Sequence, residues 1–227
     1  MTVTLITGAN KGIGFATARQ LTDLGHTVYI GARDAERGAR AAESIGARSV
    51  QLDVTDDDSV RAALATIDAA EGRLDMLVHN AGVLDTTIDG PTALRSFDTN
   101  AVGIVRVTEA ALPLLRRSDD PNVVTVSSSL GSFWAVTNPE RVESTLPLPL
   151  YSASKAAATM LTVQYAKAHP AIRFNAVEPG PTATDMTAGF GIGRPVEESA
   201  RVVVRLATLG ADGPTGTLQE EGGPLAW

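Results

Sequence analysis

Short runs of β-branched and apolar residues alternate along this chain with longer segments whose apolar positions recur every three or four residues. Val3-Thr4-Leu5-Ile6-Thr7 is a run of the first kind, closed by a glycine turn, and reads as a buried strand. The helical pattern from Ile13 to Leu24 follows, with Ile13, Ala16, Thr17 and Leu21 on one face and Gly25 as its stop. The same alternation predicts strands at Thr27–Gly31, Arg48–Asp53, Leu74–Val78, Asn122–Ser127, Ile172–Val177 and near Thr217–Leu218. Between them it predicts helices at Asp34–Ile45, Ser59–Ala70, about Asp98–Arg117, Tyr151–His169 and Glu197–Leu209. Strand–helix alternation of this kind implies parallel strands joined by right-handed crossovers. The expectation is an α/β, doubly wound Rossmann domain: a seven-stranded parallel sheet ordered 3-2-1-4-5-6-7, with helices on both faces. The least regular stretch, Gly131 to Pro149, carries Pro139, Pro147 and Pro149. It follows the fifth strand, at the carboxyl edge where such sheets bind ligands, so it is read as functional.

Composition narrows the picture. Nothing in the 227 residues marks a composition break or an internal repeat, so one catalytic domain over residues 1–227 is expected. A net charge of -7 argues against nucleic acid or an anionic membrane as partner. The chain has no Cys, which excludes disulfides and Cys-based metal sites, and no metal site is assigned. No apolar run approaches the roughly 20 residues a membrane helix needs. The first strand begins almost at Met1, leaving no room for a signal peptide. A cytoplasmic protein is expected.

Two segments carry chemistry. Thr7-Gly8-Ala9-Asn10-Lys11-Gly12-Ile13-Gly14 places three glycines between a strand and a helix. Such a turn lets backbone N–H groups approach a pyrophosphate, aided by the helix dipole. At the end of the second strand, an acidic residue would bind a ribose hydroxyl and an Arg would accommodate a 2′-phosphate. This chain has Arg33 there, and Lys11 in the glycine turn. Two cations converging on one phosphate favour NADP(H) over NAD(H). Asp53 is placed either to meet the adenine amino group or to serve the cap region of the following helix.

The second segment is Tyr151-Ser152-Ala153-Ser154-Lys155. Positions i and i+4 share a helical face, so the phenol and the ammonium can enter one cleft. A phenol titrates near ~10 unperturbed, and a neighbouring ammonium is expected to lower that value toward the working range of a general acid–base. Ser127-Ser128-Ser129 ends the fifth strand at the same sheet edge, where a hydroxyl can reach a substrate oxygen or merely cap the strand.

With these residues the chain resembles the short-chain dehydrogenase/reductase family over essentially its whole length. The similarity rests on Thr7-Gly8-x-x-x-Gly12-Ile13-Gly14, Asp53-Val54, Asn80-Ala81-Gly82, Asn100, Ser128, Tyr151-x-x-x-Lys155 and Pro179-Gly180-x-x-x-Thr184-Asp185. The resemblance implies a catalytic set of Asn100, Ser128, Tyr151 and Lys155. Tyr151 would be the acid–base, Lys155 would hold the nicotinamide ribose, Ser128 would position the substrate oxygen, and Asn100 would support a water relay. It implies cofactor contacts from Gly8, Asn10, Lys11, Gly12, Ile13, Gly14, Arg33, Asp53, Val54, Asn80, Ala81, Gly82, Tyr151, Lys155, Pro179, Gly180, Thr182 and Thr184. Ser128 is chosen over Ser127 and Ser129 on the family register. His79 stands where the family has Asn and is assigned no chemistry. Asn10-Lys11-Gly12, Ala32-Arg33-Asp34, the insertion at 131–149 and Trp227 resemble the carbonyl-reductase-like branch.

The function expected is NADPH-dependent reduction of a ketone or aldehyde to an alcohol, with the reverse oxidation served by the same residues. The alternative is a non-catalytic NADP-binding regulator on the same fold; the complete set of four catalytic residues argues against it. The partner is a small-molecule carbonyl or alcohol, apolar around the reacting carbon, with Leu130, Phe133, Trp134 and Phe190 as candidate pocket residues. Phe133 and Trp134 serve equally well as anchors for the insertion or as a contact with a second subunit.

Overall fold

The computed structural model describes residues 1–191 and 193–227. Among the described residues, eight strands form one sheet in the order β3-β2-β1-β4-β5-β6-β7-β8. They are β1 (Val3–Thr7), β2 (Thr27–Ala32), β3 (Arg48–Gln51), β4 (Met76–His79), β5 (Asn122–Val126), β6 (Arg173–Val177), β7 (Thr217–Glu220) and β8 (Gly223–Pro224). The seven expected strands pair in parallel in the expected order. The eighth was not foreseen. It is a two-residue strand, antiparallel to β7, formed where Glu221-Gly222 turns the chain back on itself.

Helices cover both faces. On one lie α1 (Gly12–Asp23), α2 (Ala35–Ile45) and α8 (Val196–Ala207); on the other lie α3 (Asp57–Glu71), α5 (Gly103–Leu115) and α7 (Pro149–Ala168). The strands are apolar throughout because both their faces are buried. Within β1, Leu5 joins the core under α3 and α5 while its neighbour Ile6 joins the core under α1 and α8. Leu77 and Val78 of β4, and Val123 and Val124 of β5, divide in the same way.

Two expectations change. The helix expected from Asp98 is preceded without a break by α4 (Gly90–Phe97) and a π-turn at Asp98–Val102. Asp89 caps α4 by accepting the Thr92 N–H, and Pro91 sits in its first turn, a start signal legible in the sequence. The 131–149 insertion is not a bare loop. It carries α6 (Phe133–Thr137) and a short 3₁₀ turn at Val142–Thr145, and its end supplies Pro149 as the first residue of α7.

Candidate active site

The carboxyl ends of β1, β4, β5 and β6 meet at one edge, and the predicted residues gather there. Gly8 and Gly12 hold φ of 63° and 60°, a left-handed backbone that a side chain would strain. A Cβ on Gly8 would also lie 2.9 Å from Ala81 Cα, and one on Gly14 would lie 2.3 Å from Asn80 Nδ2. The Asn80 side chain locks the turn. Its Nδ2 donates to Thr7 O and Gly8 O, and the N–H groups of Asn80 and Ala81 both donate to Thr7 Oγ1, all at 3.0 Å. Side chains of Asp34, Asp56 and Asp89 cap α2, α3 and α4. The first turn of α1 has no such cap from Lys11. A helix start with open N–H groups, fronted by glycines without side chains, fits the pyrophosphate of a dinucleotide.

Beside it is an open recess of about 370 Å³ lined by Asn10, Lys11, Phe15, Arg37, Arg40, Ala41 and Asp185. Lys11 thus faces Arg37 and Arg40, two cations that the sequence reading missed; their i, i+3 spacing on α2 was the available signal. Arg33 lies outside that lining and beside Asp53. Lys11 Nζ is paired with Asp185 Oδ2 at 2.7 Å, both largely exposed. Asp53 is not the cap of α3, a role taken by Asp56. Burial acts against ionisation of Asp53, but hydrogen bonds from Thr55 and the charge of Arg33 outweigh it and hold the carboxyl below its ordinary value. Val54 is buried against Gly103 of α5.

At the catalytic end, Tyr151 and Lys155 lie on α7 and Ser128 follows β5. Ser128 lies close enough to the Tyr151 phenol to act on its ionisation, and its Oγ accepts the Leu130 N–H at 3.2 Å. Lys155 is buried and its Nζ donates to Val126 O at 2.8 Å. Burial lowers its pKa to about 8, against the nearby charge of Glu178. Tyr151 goes the other way from the expectation. Burial, then the Glu178 charge, push its phenol above the usual value, and only the nearby Ser128 hydroxyl opposes them. The physical reason is position: the ammonium stands 5.7 Å from the ring centroid and gives its hydrogen bond to Val126 O. Buried Asn100 is fixed by Val83, whose N–H donates to Oδ1 at 2.8 Å, and by its own Nδ2, which donates to Val83 O and Ser154 Oγ at 2.9 Å. Gly82 leaves the space between them, since a Cβ there would be 3.3 Å from Asn100 Oδ1 and 3.6 Å from Lys155 Nζ.

Not every predicted residue faces the cleft. Thr182 is buried and bonds Gly180 O and Ser199 Oγ, toward α8. Thr184 remains at the glycine turn, its Cγ2 within 3.6 Å of where a Gly12 Cβ would be, and Pro179 and Gly180 lie just past β6. Leu130 adjoins the catalytic turn, its N–H donating to Ser128 Oγ. Phe190 is half-exposed at the rim. Phe133 is 75% exposed, and Trp134 lies under the Arg141 guanidinium at 5.5 Å, an anchoring role. The sequence reading also missed Glu178, a carboxylate among these groups.

The sheet and the residues at its edge define a Rossmann-type oxidoreductase. The family described as short chain dehydrogenase matches residues 2–193, and the chain belongs to that family. A (+)-neomenthol dehydrogenase of Arabidopsis thaliana is 33% identical over 270 residues, covering 90% of each chain. The structure of salutaridine reductase from Papaver somniferum superposes with a TM-score of 0.84 at 29% identity, covering 96% of this chain and 99% of that one. A Pseudomonas aeruginosa RhlG/NADP active-site complex gives 0.85 at 25% identity, covering 97% and 94%. Relatives in the family act on ketones and alcohols of small molecules. No helix among the described residues is long and apolar enough to cross a membrane.

Proposed function

We propose that this protein is an NADP(H)-dependent reductase of ketones or aldehydes, working reversibly and built from residues 1–227 as one catalytic domain. The observation that carries the reading is the convergence of Ser128, Tyr151 and Lys155 where β5 and α7 meet the glycine turn. A nicotinamide cofactor, when bound, supplies the hydride to the carbonyl carbon or takes it back. Tyr151 delivers its phenolic proton to the carbonyl oxygen as the C–O bond becomes an alcohol. Its raised pKa keeps the proton in place until negative charge develops on that oxygen. Ser128, beside the phenol, positions the reacting oxygen. Lys155, protonated below about 8, offers its ammonium to a ribose hydroxyl and stabilises the phenolate left on Tyr151. Asn100 supports the water that would restore the proton through Lys155.

Lys11, Arg37 and Arg40 around one recess, and Arg33 directly after β2, support recognition of a 2′-phosphate. Leu130 and Phe190 support an apolar substrate, as do relatives named for neomenthol and salutaridine. An acidic chain free of Cys suits the cytoplasm. The test is a panel of aldehydes and ketones followed by NADPH and NADH absorbance, with Tyr151→Phe alongside. Turnover with NADPH that falls at least ~10²-fold in Tyr151→Phe, with NADPH still bound, is expected. Near-full activity of the variant would overturn the acid–base assignment, and no turnover of any carbonyl by the unmodified protein would favour the non-catalytic regulator.

A further inference from the structure

The pairing of β5 with β6 runs just past their ends, where the Ser127 N–H donates to Val177 O at 2.8 Å. Beyond that bond the two chains part. One enters the turn carrying Ser128 and Ser129, the other the Glu178-Pro179-Gly180 loop. Glu178 bridges them. Its Oε2 accepts the Ser129 N–H at 2.5 Å and its Oε1 accepts the Gly180 N–H at 2.6 Å. One carboxylate thus takes a backbone donor from each segment, through two short bonds of the charge-assisted kind. Gly180 holds φ of 79°, a left-handed backbone in which its N–H meets the side chain two residues earlier. The loop is also fastened behind this bridge: the Glu178 N–H donates to Gln219 O at 2.7 Å, and Arg194 Nη2 donates to Pro179 O. A carboxylate suits the bridge because both its oxygens only accept. An amide of the same shape would turn an NH₂ group toward one of the two donors.

We propose that Glu178 is a positioning residue that fixes the spacing between the serine turn and the Pro179-Gly180 loop, and so couples the seat of the nicotinamide to the residues that serve the substrate oxygen. Ser129 adjoins Ser128, and Gly180 adjoins Pro179, so a shift of either amide carries a site residue with it. The proposal rests on the NADP(H) reading for its ligands, though not for its hydrogen-bond geometry. It concerns the nicotinamide half of the cofactor alone. The recess of Lys11, Arg37 and Arg40 lies at the glycine turn, and Glu178 is absent from its lining. Loss of the bridge should therefore be felt by the whole dinucleotide and not by its adenosine half.

The test uses the whole chain and Glu178→Gln, which keeps the volume and removes one acceptor. Calorimetric titrations compare NADPH with 2′,5′-ADP, the adenosine half without nicotinamide. In the variant NADPH should bind about tenfold more weakly, the low end for loss of a charge-assisted hydrogen bond, while 2′,5′-ADP stays within about twofold. Turnover of 4-nitrobenzaldehyde should fall by about tenfold or more, as for a misplaced catalytic group. Equal weakening of both ligands is what general damage to the fold produces, and it would overturn the proposal, as would no weakening of either. A second readout needs neither turnover nor a folded variant. In ¹H–¹⁵N spectra of the unmodified protein, NADP⁺ should shift the Ser129 and Gly180 amides together, and 2′,5′-ADP should shift neither. A Ser129 amide that ignores NADP⁺ while Gly180 responds would show that the bridge transmits nothing. If neither ligand binds the unmodified protein, the NADP(H) reading fails. The bridge is then decided by the two amides alone, which should lie at low field as short bonds to a carboxylate; ordinary amide positions would overturn it.

Discussion

Gly131 is the residue through which the catalytic turn touches α7, and Gly131→Ala tests that contact. A Cβ there would stand 2.7 Å from Lys155 C, 2.8 Å from Ala156 N and 2.9 Å from Lys155 O. All three are backbone atoms of α7, so no side chain can swing aside. Ordinary Cβ contacts begin near 3.4 Å, so helix and turn must part by about 0.7 Å. The same turn holds Ser128, whose carbonyl accepts the Gly131 N–H at 2.9 Å. The displacement therefore separates Ser128 from Tyr151. Overpacking of this kind costs about 1–3 kcal/mol, which for a chain of this size lowers Tm by roughly 2–12 °C. Misplacing a catalytic group by ~1 Å costs up to ~10²-fold, so kcat should drop by about 10- to 100-fold. Thermal melts and NADPH-linked turnover read the two effects. Gly210→Ala is the control, because a Cβ there meets nothing within 4 Å. A Gly131→Ala protein with unchanged Tm and kcat would refute the claim that this contact sets the catalytic spacing.

Arg37→Glu should weaken NADPH binding by ~10- to 150-fold, the range of a lost charge-assisted hydrogen bond, and leave NADH nearly untouched in fluorescence titrations; equal losses would refute the phosphate recess. His79 is buried, bonded to Thr108, and burial holds its pKa at about 3. An unfolded His takes its proton near 6.5, so the unfolded state binds more protons between those values and stability falls as pH drops through that window. About 2 kcal/mol should be lost between pH 7 and pH 5 in urea titrations, and His79→Asn should remove that component. Trp134→Ala should cost about 0.5–1 kcal/mol in melting experiments through loss of the Arg141 contact, with KM for bulky ketones nearly intact; a raised KM at unchanged Tm would return Trp134 to the pocket.

The sheet was legible because its strands are apolar on both faces and its helices are not, so the alternation itself spelled the topology. Glycine spacing located the dinucleotide turn because only residues without Cβ tolerate a φ near 60° and the approach of Ala81 and Asn80. Tyr151 and Lys155 were legible as an i, i+4 pair. Less was readable wherever the answer depended on three-dimensional convergence. Arg37 and Arg40 were not legible beside Arg33 because only the turn of α2 shows which cations share a recess with Lys11. Thr182 looked like a cofactor ligand beside Thr184, yet its hydroxyl turns inward to Ser199. The direction of the Tyr151 shift depends on burial and on Glu178, and a local spacing encodes neither. The β8 turn had only Gly222-Gly223 to announce it.

The insertion is tied to the far edge of the sheet as much as to the cleft. Arg141 binds Glu143 at 2.9 Å and Glu220 of β7 at 3.0 Å, Ser132 Oγ donates to Ala226 O at 2.6 Å, and the Trp134 N–H donates to Trp227 O at 2.9 Å. Residues on either side of the cleft wall therefore belong to one cooperative unit with the β7–β8 hairpin. Amides of 132–143 and 217–227 should exchange with solvent together, at the free energy of opening the sheet edge. Substitutions in the last ten residues, far from Tyr151 along the chain, would then register as altered discrimination among substrates.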